Sequence, residues 1–486
     1  MLLADGRRLS YGWLDELSSR IALALAGLQV KPGDRVVAQI DKSPEAVALY
    51  VACLKLGAVF VPLNTAYTFA ELDYFLGDAA PRVAVLRPSS LSEAGGFSHR
   101  THIETLGHAG DGSLLARIES LSSDHFVPFT GDLSALAALL YTSGTTGRSK
   151  GAMLTRGNLY SNAETLVSAW KFSGTDVLLH ALPIFHVHGL FVAINTVLAS
   201  GSSMVFLSKF DAGEVVQFLP RVTVMMGVPT FYTRLLQRSD LDAKATSRVR
   251  LFISGSAPLL SETHRTFRER TGHAILERYG MSETLMNTSN PYEGERIPGS
   301  VGPPLPGVEV RITDPESGRV LGASNTVGMI EVRGPNVFRG YWQMPDKTAA
   351  ELREDGFFIT GDVGRIDERG YVYIVGRGKD LIITGGYNVY PIEIEGEINA
   401  LPGVIESAVI GLPHSDFGEA VTAIVVKAPS ATLDEQTIRQ ALQSRLANFK
   451  LPKRVLFADE LPRNAMGKIQ KNTLRHTHRE LYQSAE

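Results

Sequence analysis

The chain is nearly without cysteine, with a single thiol, Cys53, in 486 residues. One thiol closes no internal disulfide, which points to a reducing compartment: the cytoplasm or, in a eukaryote, the mitochondrial matrix. Long apolar runs are also missing. None reaches the roughly 20 residues that span a bilayer, and the opening MLLADGRRLSYGW has no signal-peptide core. Nor is charge of one sign in excess. With 48 Lys and Arg against 51 Asp and Glu the net charge is −3, so no broad field draws in nucleic acid or an anionic membrane. There is no internal repeat and no low-complexity tract. What remains is 44% hydrophobic and 20% charged, the composition of a soluble globular protein and too long for one ordinary core. Two or three domains are expected.

Periodicity supplies the first outline. Leu14, Leu17, Ile21, Leu25 and Leu28 have helical spacing, a Lys-Pro-Gly-Asp turn follows at 31–34, and an apolar strand is predicted at 35–40. Ser43 and Pro44 open a second helix as N-cap and first helical residue, ending near Gly57, with a strand at 58–62 behind it. The alternation continues through a strand at 83–86 and predicts a layered α/β domain. A strand at 136–140 and a helix at 158–169 flank a polar loop. Residues 297–375 read as a small β subdomain. From 381 onward a compact lid is expected, with helices at 392–400 and 434–447 and strands at 404–411 and 420–426.

That polar loop, residues 141–151, reads YTSGTTGRSKG: three glycines, five hydroxyls and a lysine behind an apolar run. Gly144 and Gly147 permit positive φ, so bends there expose backbone N–H groups. Amides, hydroxyls and the Lys150 ammonium all favour phosphate oxygens. The spacing is not that of a Walker A loop, which has four residues between its glycines and Lys-Ser/Thr directly after the second. A flexible Ser/Gly linker rarely carries this order of groups directly behind a buried strand.

Other stretches invite chemistry. Gly255 to Pro258 turn the chain beyond a predicted strand at 251–254, where open α/β sheets bind ligands. ERYGMSET at 277–284 offers an acid, an aromatic face and a glycine turn, and FFITGD at 357–362 ends on a carboxylate able to accept from both hydroxyls of a ribose. Arg377 sits between Gly376 and Gly378, a natural hinge. In LPIFHVHGLF (182–191) the pair His186 and His188 has no third ligand nearby for a metal, and a buried, hydrogen-bonded histidine is the ordinary reading. Arg234 and Arg238 lie one turn apart and, on spacing alone, read as a solvated face.

Together these stretches resemble the adenylate-forming enzymes: acyl-CoA synthetases, firefly luciferase and the adenylation domains of peptide synthetases. The resemblance covers nearly the whole chain. It implies an α/β N-terminal ATP- and acyl-binding domain of several subdomains at 1–378, and a small mobile α+β lid at 379–486. It also implies ATP, Mg²⁺ and coenzyme A. Thr142, Ser143, Gly144, Thr145, Thr146, Gly147 and Lys150 then cradle phosphates. Ser256, Ala257, Pro258, Glu277, Arg278, Tyr279, Gly280, Met281 and Ser282 surround AMP, with Tyr279 stacked on the adenine. Asp362 takes the ribose, Arg377 meets ribose and phosphate, and Glu283 coordinates Mg²⁺ with Thr142. Lys379 is the pivot of the lid, and Gly385 and Gly386 lie along the pantetheine tunnel after rotation. Lys468 is the catalytic lysine and a target for a protein acetyltransferase. His186 stands beside the reacting carboxylate, with His188, Ser254 and Met286 lining the acyl pocket. Members usually have threonine at Ser282, some have aspartate at Lys379, and most have residues before this start, which implies a trimmed N-terminus.

Within the superfamily, LPIFHVHGL, GVPTFYTRLL, FISGSAPLL and ERYGMSETLMNTS look like malonyl-CoA synthetases. A dicarboxylate needs a buried cation at its far end, and the resemblance assigns that task to Arg234. The implied reaction is activation of malonate as an acyl-adenylate and transfer to coenzyme A. Three alternatives stay open: a stand-alone adenylation enzyme loading a carrier protein, a nucleotide sensor, and a methylmalonate or other short-chain ligase. The sensor would be expected to have lost Lys468, Glu283 or Asp362. One methyl group changes discrimination by only ~1–3 kcal/mol.

Overall fold

A computed structural model describes residues 1–90, 97, 101–124, 126–142, 149–429, 431–464 and 467–482. Ser143, Gly144, Thr145, Thr146 and Gly147 of the expected phosphate loop lie outside the described residues.

Two sheets form the body. The first runs in the order His102–Thr105, Val83–Leu86, Arg35–Gln39, Val59–Pro62, Leu136–Thr142 and Lys150–Thr155. Its pairs are parallel except the last, which is antiparallel. The second has seven strands: Leu2–Leu3, Ser203–Phe206, Val177–His180, Val224–Gly227, Leu251–Ser254, Leu276–Met281 and Leu285–Ser289. Here too only the last pair is antiparallel. The parallel strands are buried on both faces and read as near-continuous apolar runs.

Local signals set the connecting helices. Ser43 caps Pro44–Leu56 by accepting from the Ala46 N–H, proline sits in its first turn, and Gly57 at φ 76° ends it. Ser10 caps Tyr11–Gly27 in the same way. Between the polar loop and the helix expected at 158–169 lies a strand that the pattern did not predict, Lys150–Thr155, which turns back so that Thr142 and Lys150 face each other at the base of a hairpin. The helix Arg156–Ala169 starts only after it.

A four-stranded antiparallel sheet follows, Glu309–Thr313, Gly328–Arg333, Phe358–Ile366 and Val372–Arg377. The largest apolar core reaches Val372. A separate one begins at Ile382 and serves the last part of the chain, where Val404–His414 and Gly418–Lys427 form the long central ladder. The helix expected at 434–447 is shorter, Glu435–Gln443, with Asp434 as its cap, and a further helix, Lys471–Thr477, follows it. Among the described residues no helix is long and apolar enough to cross a membrane.

Candidate active site

The site sits beyond the carboxyl ends of the parallel strands of the seven-stranded sheet, where unpaired strand ends and loops are free to hold ligands. Val177–His180 leads into the LPIFHVHG loop, Val224–Gly227 into the helix Pro229–Leu236, and Leu251–Ser254 into Gly255 and Ser256. Leu276–Met281 and Leu285–Ser289 close it as a hairpin.

Three clusters meet there. In the first, the Tyr279 hydroxyl donates to Asp362 Oδ2 at 2.5 Å and Arg377 Nε donates to Asp362 Oδ1 at 2.7 Å. The carboxylate is 4% exposed and both its oxygens are engaged. Asp362 and Arg377 are direct partners across two strands, so backbone register makes the pair. The second cluster lies at the hairpin base. Thr142 Oγ1 is 3.5 Å from Glu283 Oε1, and the Tyr341 hydroxyl is 3.1 Å from the same oxygen. Burial pushes the Glu283 carboxyl upward, against the pull of Lys150 and Arg377. Such a sparse donor set fits Mg²⁺, which keeps several waters and is completed by substrate phosphates rather than by a protein cage. No group of three or more His, Cys, Asp or Glu poised for a metal occurs among the described residues.

The third cluster is a buried polar set with several unsatisfied atoms among the described residues. Arg278 is 3% exposed, and among the described residues its Nε and Nη2, which form one edge of the guanidinium fork, have no hydrogen-bond partner. Buried Ser254 Oγ and His188 Nε2 are unpartnered as well. Buried polar atoms are almost always satisfied, so this set is shaped for a polar ligand. Gly255 is essential to it: a Cβ there would fall 2.5 Å from the Arg278 guanidinium. Burial brings Arg278 down to about 9. Burial, then the charges of Arg278 and Lys468, lowers His186 to about 4, so its imidazole is neutral at pH 7. His188 is held neutral by burial and Arg278, and its Nδ1 lies 3.2 Å from the Ser256 hydroxyl. Ser256 itself holds φ at 71°, a strained backbone of the kind that clusters at functional sites. Met286 is fully buried across the hairpin from Gly280.

Lys468 reaches into the same space. By surface area it is exposed, yet crowding by protein around its ammonium, and then the Arg377 cation, bring it down to about 8 against Asp362 and Asp380. The loop that carries it is braced: Asn464 Oδ1 accepts from the Lys468 N–H at 3.0 Å, and Gly467 packs against Thr230.

Arg234 is not the buried cation. Its side chain is exposed on the helix Pro229–Leu236, whose buried face is Phe231, Tyr232 and Leu235. Arg278, grouped by the family resemblance with the AMP site, is the buried arginine beside Ser254 and His188. We expect Arg234→Met to leave the acid preference unchanged in a thioester-formation assay, and a selective rise in KM for malonate would return Arg234 to the pocket. Glu277 is buried with its Oε1 3.1 Å from the Gly299 N–H, and burial raises it to about 8. Met281 touches the Tyr279 hydroxyl through its sulfur at 4.0 Å. Ser282 lies in the turn between the hairpin strands, and Ala257 and Pro258 follow Ser256. Lys379 is exposed in the turn Gly378–Asp380. Gly385 and Gly386 form the exposed tip of a hairpin between Ile382–Thr384 and Tyr387–Val389.

A family model described as AMP-binding enzyme matches residues 1–342. The chain belongs to this family. A second model, AMP-binding enzyme C-terminal domain, matches residues 393–468. This AMP-binding enzyme is 35% identical to a malonate–CoA ligase of Arabidopsis thaliana, over 97% of this chain and 85% of that one. It is 36% identical to a feruloyl-CoA synthase of an Amycolatopsis species, over 97% and 94%. Relatives of equal likeness therefore carry different acids in their names. Among solved structures, ATP-bound MatB from Rhodopseudomonas palustris superposes with a TM-score of 0.97 at 56% identity, over 99% of this chain and 96% of that one. Apo MatB gives 0.85 at the same identity and coverage. Sequence and coverage being equal, the two MatB structures differ in arrangement, and this AMP-binding enzyme shares the ATP-bound one. The presence of Lys468 among His186, Arg377 and Asp362 agrees with that.

Proposed function

We propose that this AMP-binding enzyme ligates malonate to coenzyme A through a malonyl-adenylate. One observation carries the choice of acid: the buried Arg278, with a full edge of its fork unpartnered beside Ser254 and His188. A planar fork matches a carboxylate in bidentate fashion, and a pocket with that cation at its end suits a short dicarboxylate. A monocarboxylate chain would leave the charge buried and unpaired, which is costly.

The first half-reaction joins a malonate oxygen to the α-phosphorus of ATP and releases diphosphate. Anion approaches anion, so concentrated positive charge is the main lever. Lys150 stands at the hairpin base to meet the triphosphate, and Lys468 reaches the side where the carboxylate and α-phosphate meet. Mg²⁺, when bound at Glu283 and Thr142, supplies further neutralisation of the phosphates. Tyr279, Asp362 and Arg377 orient the nucleoside, and neutral His186 borders the reacting carboxylate without adding charge. In the second half-reaction the coenzyme A sulfur attacks the acyl carbon, its proton passes to solvent, and AMP leaves. Lys468 occupies space near that carbon, so rotation about Lys379 clears it and brings Gly385 and Gly386 towards the thiol's path. The solvent contact of Lys468 supports access by a protein acetyltransferase, and the lone buried thiol Cys53 supports a reducing compartment.

The deciding assay follows ATP-dependent thioester formation with coenzyme A across malonate, methylmalonate, succinate, acetate, butyrate and octanoate. Strong preference for malonate is expected. Preference for a monocarboxylate would sink the Arg278 reading, and adenylate formed without transfer to coenzyme A would point instead to a carrier protein.

A further inference from the structure

Lys150 does not hang free at the base of the phosphate hairpin. Its ammonium lies 3.3 Å from the Tyr341 hydroxyl, 4.3 Å from the centre of that ring and 3.5 Å from Glu351 Oε2. The Tyr341 hydroxyl in turn lies 2.7 Å from Glu351 Oε2 and 3.1 Å from Glu283 Oε1. Lysine and carboxylate are 13% and 21% exposed, too sheltered for a chance surface pair.

The backbone builds this contact. Residues 339–342 add to the open edge of the strand Lys150–Thr155: Met153 and Gly340, Arg339 and Met153, and Trp342 and Gly151 exchange main-chain hydrogen bonds of 2.8–2.9 Å. Ala152 pairs with Tyr341, which places that ring two residues from Lys150. The chain then enters the helix Pro345–Glu351, with proline in its first turn, and Glu351 closes it. Glu351 also pairs with Lys347 one turn earlier at 2.7 Å.

A lysine has a strongly hydrated charge on a flexible stem and much rotamer entropy to lose when it is fixed. Holding it beforehand lowers the ordering cost that a ligand must otherwise meet. The 3.5 Å contact to Glu351 is longer than the ~2.7–2.9 Å of a tight charge-assisted bond, so the ammonium is aimed but not locked. From this we infer that Glu351, with Tyr341, is a positioning residue for nucleotide capture: it holds Lys150 at the base of the phosphate hairpin before ATP arrives and yields it to the incoming triphosphate. Glu351 acts through Lys150 and need not touch ATP.

The inference rests on Lys150 meeting the triphosphate, and the two stand or fall separately in a double-mutant cycle on the full chain. KM for MgATP, KM for malonate and the thermal midpoint are measured for Glu351→Gln, Lys150→Ala, the double variant and Lys347→Met. Glu351→Gln should raise KM for MgATP about fivefold, equivalent to ~1 kcal/mol, with KM for malonate unchanged. In the Lys150→Ala background the same substitution should have no further effect on ATP, since the pair acts as a unit. Lys347→Met should stay close to the parent enzyme. If Lys150→Ala spares ATP, the triphosphate assignment itself fails. If Lys150→Ala weakens ATP but Glu351→Gln does not, tightens ATP, or adds its full cost without Lys150, the positioning role is overturned. It is overturned too if Lys347→Met matches Glu351→Gln, because helix stability would then explain both.

Discussion

Replacing Arg278 by methionine should lower kcat/KM for malonate by roughly two to four orders of magnitude while the folded protein becomes more heat-stable. The two effects share one cause. The guanidinium is 3% exposed with Nε and Nη2 unpartnered among the described residues, and burial draws its pKa down to about 9. An uncompensated buried charge opposes folding, and methionine, similar in length and apolar, removes that opposition. Malonate reverses the account, because its far carboxylate would satisfy the free edge of the fork. Breaking a buried ion pair by removing one partner costs roughly 3–5 kcal/mol, and each 1.36 kcal/mol is a factor of ten in rate, hence the expected loss. Butyrate should gain relative to malonate, and malonate should raise the thermal midpoint of the parent but not of Arg278→Met. A variant that melts lower while keeping its KM for malonate would make Arg278 a structural residue, and the dicarboxylate assignment would fall with it.

The two arginines show where sequence stops informing. Glu277, Arg278 and Tyr279 occupy one strand, Leu276–Met281, and neighbours on a strand point to opposite faces. Glu277 and Tyr279 therefore share a side, facing Gly299 and Asp362, while Arg278 turns to Gly255 and His188. The alternation was legible once the segment was read as a strand rather than as a turn motif. Arg234 was harder. Its helix buries Phe231, Tyr232 and Leu235, and spacing alone does not say whether the edge of that face opens on a pocket or on water. The strands at 35–39, 59–62, 83–86 and 251–254 were legible because parallel strands buried on both faces have little choice but to be apolar runs. Tyr341 and Glu351 left no such trace. Lys150 and Tyr341 stand 191 residues apart in sequence, and only main-chain pairing between distant segments brings them together. Local periodicity carries no record of that.

Lys468→Ala should divide the reaction. Adenylation, followed as malonate-dependent exchange of diphosphate into ATP, should fall about 10²–10³-fold, the usual cost of removing one preorganised donor at developing charge. Thioester formation from supplied malonyl-AMP should be largely spared, since the lysine has to leave before the thiol arrives. The reason lies in the charge balance of the ATP-like arrangement. Lys468 sits within reach of Arg377, Asp362, Asp380 and the neutral His186, and it is the cation of the set that the C-terminal domain contributes. Its pKa of about 8 adds a second signature. The ammonium is the active form, so its contribution is full well below pH 8 and is lost as pH rises through that value. In adenylation, kcat/KM for ATP reports the free enzyme and should decline above about pH 8. In the kcat profile the same inflection should move upward, because bound phosphates favour the charged lysine. Lys468→Arg keeps a cation at all these pH values and should flatten the decline even where it slows the step. If both half-reactions fall equally in folded Lys468→Ala, or the inflection near pH 8 survives in Lys468→Arg, the lysine is not the cation that the first step waits for.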